Sequence, residues 1–169
     1  NAFTITAEQA MCDPSLDDVS VGVLTGVDTD CGGSGRTDAD AVNLGAGDGT
    51  FFSLGLGGSA WWSISPSFVA PISVIEVTWG GATGSGHIES AEVFLRDAVS
   101  GIFSKVADID NVGSTGQSNS SLISTSGGPF DAIGFVDTSG SISGTKSKDG
   151  FDIDAITVAP VPLPASLGF

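Results

Sequence analysis

Aspartate residues concentrate in three stretches of the sequence, where they could hold a hard cation. One stretch surrounds Cys31, the second comes before Asn111, and the third comes before the last apolar run. Calcium takes about six to eight oxygen ligands, and Gly-rich loops supply backbone carbonyls beside the carboxylates. None of the stretches matches the EF-hand loop. The sequence therefore predicts a calcium site, with solvated carboxylates as the alternative, and the candidate ligands are Asp28, Asp30, Asp149, Asp152 and Asp154.

The residues that could carry out catalysis are sparse. His87 is the single histidine and lies in a Gly/Ser-rich turn, GSGHIES, between two predicted strands. A Ser-His-Asp hydrolase would have to use it, but the sequence has no GxSxG nucleophile elbow. Paired carboxylates could hydrolyse glycosides only at a suitable separation, which the sequence does not give. We therefore expect a protein that is not an enzyme and has no catalytic residues.

The tryptophans are the candidate ligand-binding residues. Trp61 and Trp62 are adjacent, so on a strand they point to opposite faces, one into the core and the other outward or to an interface. Trp79 shares the apolar face of its strand with Val77, which predicts a core position. An exposed indole can stack on a sugar. The chain has no tyrosine, which argues against a lectin.

The charge balance excludes some partners. The chain has 20 acidic and 5 basic residues and a formal net charge of −15 at pH 7. Nucleic-acid binding needs Lys and Arg to neutralise phosphates, so nucleic acid and anionic membrane surfaces are poor partners. There is no 18-residue uncharged apolar run, so no transmembrane segment is expected in this chain.

The two cysteines indicate an oxidising compartment. Cys12 and Cys31 lack both a CxxC spacing and neighbouring histidines, so zinc is not indicated. A disulfide closing a loop of about 20 residues would contribute on the order of 3 kcal/mol. Two reduced buried thiols are the alternative.

Short apolar runs separated by Gly, Ser, Asp and Thr predict an all-β fold. Ala91, Val93 and Leu95 alternate with Glu92 and Arg96, and in the preceding run Ile75, Val77 and Trp79 oppose Glu76 and Thr78. Such alternation is typical of antiparallel sheets packed on one side. We predict an antiparallel β-sandwich of jelly-roll type over 1–159 and an extended tail over 160–169. The predicted strands are Phe3–Thr6, Val19–Leu24, Phe51–Leu56, Ala60–Ile64, Ile72–Trp79, Ala91–Arg96, Phe103–Asp108, Phe130–Asp137 and Phe151–Val158.

Two segments do not show this alternation. Gly26–Gly49 is rich in Gly and Asp and predicts a long irregular loop, while Asn111–Gly128 is a Ser/Gly/Thr run without hydrophobic period. Loops longer than about 15 residues are usually functional or mobile. We expect the second to be mobile.

The C-terminal segment carries a short motif, VPLPA, made of Val161, Pro162, Leu163, Pro164 and Ala165. It resembles the VPLPA variety of the PEP-CTERM sorting signal, which implies an exported protein of a Gram-negative bacterium. In that family the motif precedes an apolar helix and a basic tail, which are missing here because the sequence stops at Phe169. The bland alternative is an extended proline-rich end. Asn1 in place of methionine fits removal of a signal peptide.

The segment DGFDIDAITV, which contains Asp149, looks like the closing strand of calcium-stabilised jelly-roll carbohydrate-binding modules. That resemblance implies a calcium-dependent, lectin-like module that binds surface polysaccharide. The other expectation, which we place first, is a structural or adhesive protein of the cell surface or matrix. It could form oligomers or filaments if its terminal segments, the strand-like Asn1–Ala10 and the extended apolar tail Val158–Phe169, connect neighbouring copies by strand addition. The alternative is that Phe3 and Ile5 pair within their own domain.

Overall fold

The computed structural model describes residues 2–11, 39–78, 81–147 and 149–162. Almost all regular structure in these ranges is β, apart from the one-turn helix α1 at Ala82–Ser85 and two short 3-10 turns. The strands of the described chain are β1 Thr4–Met11, β2 Asn43–Leu44, β3 Phe52–Ser53, β4 Ser59–Val77, β5 Ser90–Asp97, β6 Phe103–Asp110, β7 Ser118–Ile123, β8 Phe130–Asp137 and β9 Asp152–Pro160.

Strand β4 belongs to both layers of the fold. Its first half pairs with β1 and β8, and β5 and β6 extend this first sheet. Its second half pairs with β7 and β9, and β2 and β3 pair with β9 to complete the second sheet. The β4–β8 and β4–β9 ladders are irregular between Ser63 and Ser73, where Pro66 and Pro71 lack the N–H that a ladder needs.

The two sheets enclose one core of aliphatic and aromatic side chains. Trp62 lies at its centre, with edge-on ring contacts to Phe52 at 5.8 Å and Phe135 at 5.9 Å between ring centroids. The predicted face of β5 is confirmed, since Ala91, Val93 and Leu95 are buried while Glu92 and Arg96 are partly exposed. The fold is therefore an all-β sandwich of jelly-roll type, as the alternation predicted, and its described strands pair antiparallel except for β2 with β9.

The second half of β4 faces the opposite way from the prediction. Ile72, Val74 and Glu76 point into the core, and Ile75 and Val77 are only partly buried on the outer face. The prediction was wrong because it placed the Glu76 carboxylate on the solvent face. Alternate residues of the strand, counted from Ile72, face the core, so Glu76 is buried there and other polar side chains form hydrogen bonds with it. Trp79 and the predicted strand Val19–Leu24 lie outside the described residues, as do Cys12 and Cys31.

The segment predicted as a mobile loop contains a strand. Strand β7 pairs with β4 from Ile72 opposite Ile123 to Val77 opposite Ser118. Apart from Ile123, its side chains are exposed or only partly buried, so it shows no hydrophobic period and is held by backbone pairing at the sheet edge. The Asp/Gly-rich segment likewise contributes β2, which pairs in parallel with β9. Two runs predicted as separate strands lie on one strand, since β4 contains Ala60–Ile64 and also the part of the second run that ends at Val77.

The N-terminal strand pairs within its own chain. Ile5 lies opposite Ile64 and Ala7 opposite Trp62, and Phe3 packs against the core. This is the intramolecular pairing that the sequence left open as the alternative to strand addition. Within the described ranges, no helix has the length and apolar character needed to cross a membrane.

Candidate functional site

A groove of about 590 Å³ opens on the outer face of the second sheet. One wall is apolar and is formed by the side chains of β4 that the alternation turns outward, together with Phe51. The polar lining residues flank this apolar strip, with Asp154 of β9 on one side of β4 and Gln117 and Ser118, at the start of β7, on the other. We call this the β4–β9 groove, and its lining residues are Ala46, Gly47, Gly49, Phe51, Ile75, Val77, Gln117, Ser118 and Asp154.

A β-bulge in β9 places the carboxylate of this groove. Ile75 pairs with Ala155 but the next residue, Glu76, pairs with Ile153, so Asp154 is the extra residue of β9. A bulge bends the strand and re-aims one side chain. The residues on both sides, Ile153 and Ala155, are fully buried, while Asp154 lines the groove.

The carboxylate of Asp154 holds the loop that closes one end of the groove. Its Oδ1 accepts the backbone N–H of Asp48 and its Oδ2 that of Gly49, both at 3.1 Å, and the residue is only 3% exposed. A Cβ atom on Gly47 would overlap Asp154 Oδ2, so this loop can approach the carboxylate only with glycine there. Thr50 bonds the Asp48 carboxylate and lowers its pKa.

Two cations of the described ranges, Arg96 and Lys105, form ion pairs away from the groove. The Arg96 guanidinium lies 2.7 Å from an Asp131 oxygen, and Lys105 lies 2.6 Å from Glu92 and also pairs with Asp108. These pairs involve β5, β6 and β8 of the first sheet. No lysine or arginine of the described chain lines the groove, so Asp154 is the only charged group among its lining residues.

A buried cluster of polar side chains lies beneath the end of β4. Glu76 is 1% exposed and Glu89 is 2% exposed. The Thr78 hydroxyl lies 2.5 and 2.6 Å from the two oxygens of Glu76. The amide of Asn111 donates to Glu76 at 3.1 Å and to Glu89 at 3.4 Å.

The two glutamates of this cluster bond each other, which requires a shared proton. The pKa of Glu89 is raised to about 10, first by burial and then by its bond to Glu76 and the charge of Asp152. Burial likewise raises the pKa of Glu76, against the bonds from Thr78 and Asn111. The cluster therefore holds a proton at neutral pH and fastens the end of β4 to β5 and the segment that follows β6.

The predicted tryptophan pair is divided between the core and the outer face of the first sheet. Trp62 is 1% exposed and its Nε1 donates to the carbonyl of Ala39 at 2.8 Å, so its indole offers no face to a ligand. Trp61 is partly buried and contacts Phe103 edge-on at 5.4 Å, with the Arg96 guanidinium 4.9 Å from its ring. Neither tryptophan lines the β4–β9 groove.

The predicted calcium ligands that the structure describes do not form one site. Asp154 bonds the loop of residues 47–49, and Asp152 accepts the hydroxyl of Ser53. Within the described ranges, no three acidic, histidine or cysteine side chains converge in a way that could hold a metal ion. Asp28 and Asp30 lie outside the described residues, so calcium binding stays a prediction.

His87 lies in the turn after α1, as its neighbours predicted. Its backbone N–H donates to Ser85 Oγ at 3.2 Å, and its carbonyl accepts the Asn111 amide at 3.2 Å. The backbone of His87 therefore helps to hold the buried polar cluster in place.

Comparisons with known proteins give fold similarities only. No protein-family model matches the sequence, and no curated protein matches it. A GH31 CBM32-2 structure bound to GalNAc is 11% identical over 95% of this chain and 100% of its own, with a TM-score of 0.49. The F5/8 type C domain of a Bacteroides fragilis protein is 16% identical over 96% and 93%, with a TM-score of 0.48.

A third structure is the Ruminococcus gnavus GH29 fucosidase in complex with fucose. It is 18% identical over 70% of this chain, with a TM-score of 0.44, and the match spans about a fifth (21%) of the fucosidase chain. At these identities and scores we transfer no residue role and no ligand from any of the three.

The groove was missed at the sequence level for a definable reason. The alternation predicts Ile75 and Val77 as core residues, and Gln117 and Ser118 belong to the segment that the sequence predicts as a mobile loop. Asp154 was singled out, but as a metal ligand. In the sequence, a bulge shows only as a break in the two-residue alternation of apolar residues. Here the break is the three-residue step from Ile153 to Ile156, and it was the one sequence feature that could have indicated the bulge.

Proposed function

We propose that this domain is a non-catalytic carbohydrate-binding module that works at the cell surface or in the extracellular matrix, with the β4–β9 groove as its sugar site. The observation that carries the proposal is that one groove combines an apolar surface with a fixed, nearly buried carboxylate. Ligand sites are typically concave and mostly apolar, with a few well-placed polar groups.

The two walls match the two kinds of surface on a sugar ring. Ile75, Val77 and Phe51 can cover the C–H face of a pyranose, and the Asp154 carboxylate can accept its hydroxyl groups. An ionised carboxylate has about four acceptor positions, of which the loop N–H groups use two. Hydrogen bonds to a charged acceptor are roughly twice as strong as neutral ones. Gln117 and Ser118 add uncharged donors and acceptors on the opposite side.

The biological role that fits this site is adhesion to polysaccharide. Export to a Gram-negative cell surface is part of the proposal and rests on the VPLPA motif, of which Val161 and Pro162 are exposed and the rest lies outside the described residues. Assembly into filaments through the N-terminal strand has weaker support, because β1 already pairs with β4. Self-association therefore stays a prediction.

The proposal is tested by isothermal titration calorimetry with neutral oligosaccharides of the glucose, galactose and mannose series. We expect at least one series to bind the wild-type domain. Val77→Asp places a charge on the apolar wall and should weaken that binding about tenfold or more, because a desolvated carboxylate replaces an apolar contact. Repeating the titration after chelation tests the calcium prediction separately.

The matched control is Leu122→Asp. Leu122 is 71% exposed on the neighbouring strand β7 and does not line the groove, so the same change of charge should leave binding unchanged. If no series binds, or if both variants lose binding equally, the groove is not a sugar site.

A further inference from the structure

We infer that the β4–β9 groove selects neutral saccharides against anionic ones, and that Asp154 is the residue that sets this specificity. The inference rests on the proposed function and deepens it by naming the class of sugar. Three features of the groove support it: the position of the carboxylate, the engagement of the loop N–H groups, and the location of the cations.

The carboxylate cannot move away from a bound ligand. Asp154 is the bulged residue of β9, and both of its oxygens are fixed by the N–H groups of Asp48 and Gly49. A buried carboxylate with a fixed position repels a second negative charge more strongly than a solvated one does. A uronate or sulfate group in the groove would lie beside it.

The loop could bind an anion if Asp154 were absent. Successive backbone N–H groups that point to one spot form an anion-binding concavity. In this loop Asp48 and Gly49 direct their N–H groups at the two oxygens of Asp154, which therefore occupies the anion position itself. The donors that would hold an anionic sugar are thus already used by the protein.

The described cations cannot compensate for this repulsion. Arg96 and Lys105 are paired with acidic residues of the first sheet, on the other layer of the sandwich. Lys146 packs its side chain near Gly86, beyond α1. The net charge of −15 adds a weaker repulsion that salt screens. Charge complementarity therefore favours an uncharged ligand.

The test compares neutral oligosaccharides with the uronates of the same sugar series, linkage and length, by calorimetry in low salt. We expect the neutral member of a binding pair to bind at least about tenfold more tightly, since a uronate would bring a second negative charge beside the fixed carboxylate. Asp154→Asn should reduce this ratio several-fold by improving uronate binding. Glu92→Gln removes one charge from the first sheet and should leave the ratio unchanged.

A second measurement does not depend on a variant. The ratio for the wild-type domain should be largest in low salt and fall only in part as salt rises, because the nearby carboxylate is screened less than the distant charges. Equal affinity for both members of a pair, with no effect of Asp154→Asn, would overturn the inference while leaving the sugar site intact. A panel in which neither member of any pair binds would overturn the proposed function itself.

Discussion

Replacing Glu89 by glutamine should remove most of the pH dependence of stability between pH 6 and pH 8. Glu89 is nearly completely buried and bonds Glu76, so one of the two must carry a proton in the folded state. Glutamine has nearly the same shape and keeps an N–H donor where the protonated acid has its O–H. The substitution therefore preserves the bond and removes the titration.

The magnitude follows from the pKa of Glu89, about 10 in the folded protein against 4.5 for the free side chain. Between these values the folded state holds one proton more than the unfolded state. The free energy of unfolding therefore falls by about 1.4 kcal/mol for each unit of rising pH. The stabilisation is complete below about pH 4.5 and is lost as the pH rises through about 10. From pH 6 to pH 8 the loss is about 2.7 kcal/mol.

Urea denaturation at pH 6, 7 and 8 in moderate salt measures this slope directly. The wild-type domain should lose stability across the series, and Glu89→Gln should be nearly level and more stable than wild type at pH 8. Glu92→Gln is the matched control, because Glu92 lies on the outer face and pairs with Lys105. It should keep the wild-type slope.

A level wild-type profile between pH 6 and pH 8 would refute the reasoning. So would a Glu89→Gln variant that keeps the slope, because the proton would then belong to another group. A variant that unfolds at every pH would show that the cluster needs the acid itself rather than its hydrogen bond.

Two further substitutions test how the sheets are held. Gly150→Ala should destabilise the domain by about 3 kcal/mol in urea denaturation, because φ is +72° and a Cβ atom would lie 2.6 Å from the Gly55 carbonyl oxygen; an unchanged midpoint would contradict that packing. Trp62→Phe should cost about 2–3 kcal/mol by leaving the buried Ala39 carbonyl without its indole donor and opening a cavity, whereas a loss well under 1 kcal/mol would show that the carbonyl finds water.

The sequence predicted the strands in which a dense apolar run stands between turn residues. Strand β8 has the predicted bounds, Phe130–Asp137, because turn residues border a dense apolar run. The division between Trp61 and Trp62 also follows from simple alternation on one strand. In these segments the local pattern and the tertiary environment agree.

The site residues could not be predicted because each depends on a contact distant in sequence. Glu76 is buried only because Asn111 and Glu89 come from other segments to bond it. Strand β7 forms through backbone hydrogen bonds to β4, and its Ser-rich sequence has no apolar alternation that would have predicted a strand. Asp154 faces the groove because of a bulge, and its partners, the N–H groups of the preceding loop, lie 105 and 106 residues away.

The central claim is that a sugar occupies the β4–β9 groove, and an amide NMR titration with the neutral oligosaccharides tests it most directly. The account predicts that chemical-shift changes cluster at the loop amides of Gly47 and Gly49, at Val77 on β4 and at Ser118 on β7. Changes that instead centre on the Trp61 indole and Phe103, on the outer face of the first sheet, would contradict it, as would a spectrum that no saccharide alters.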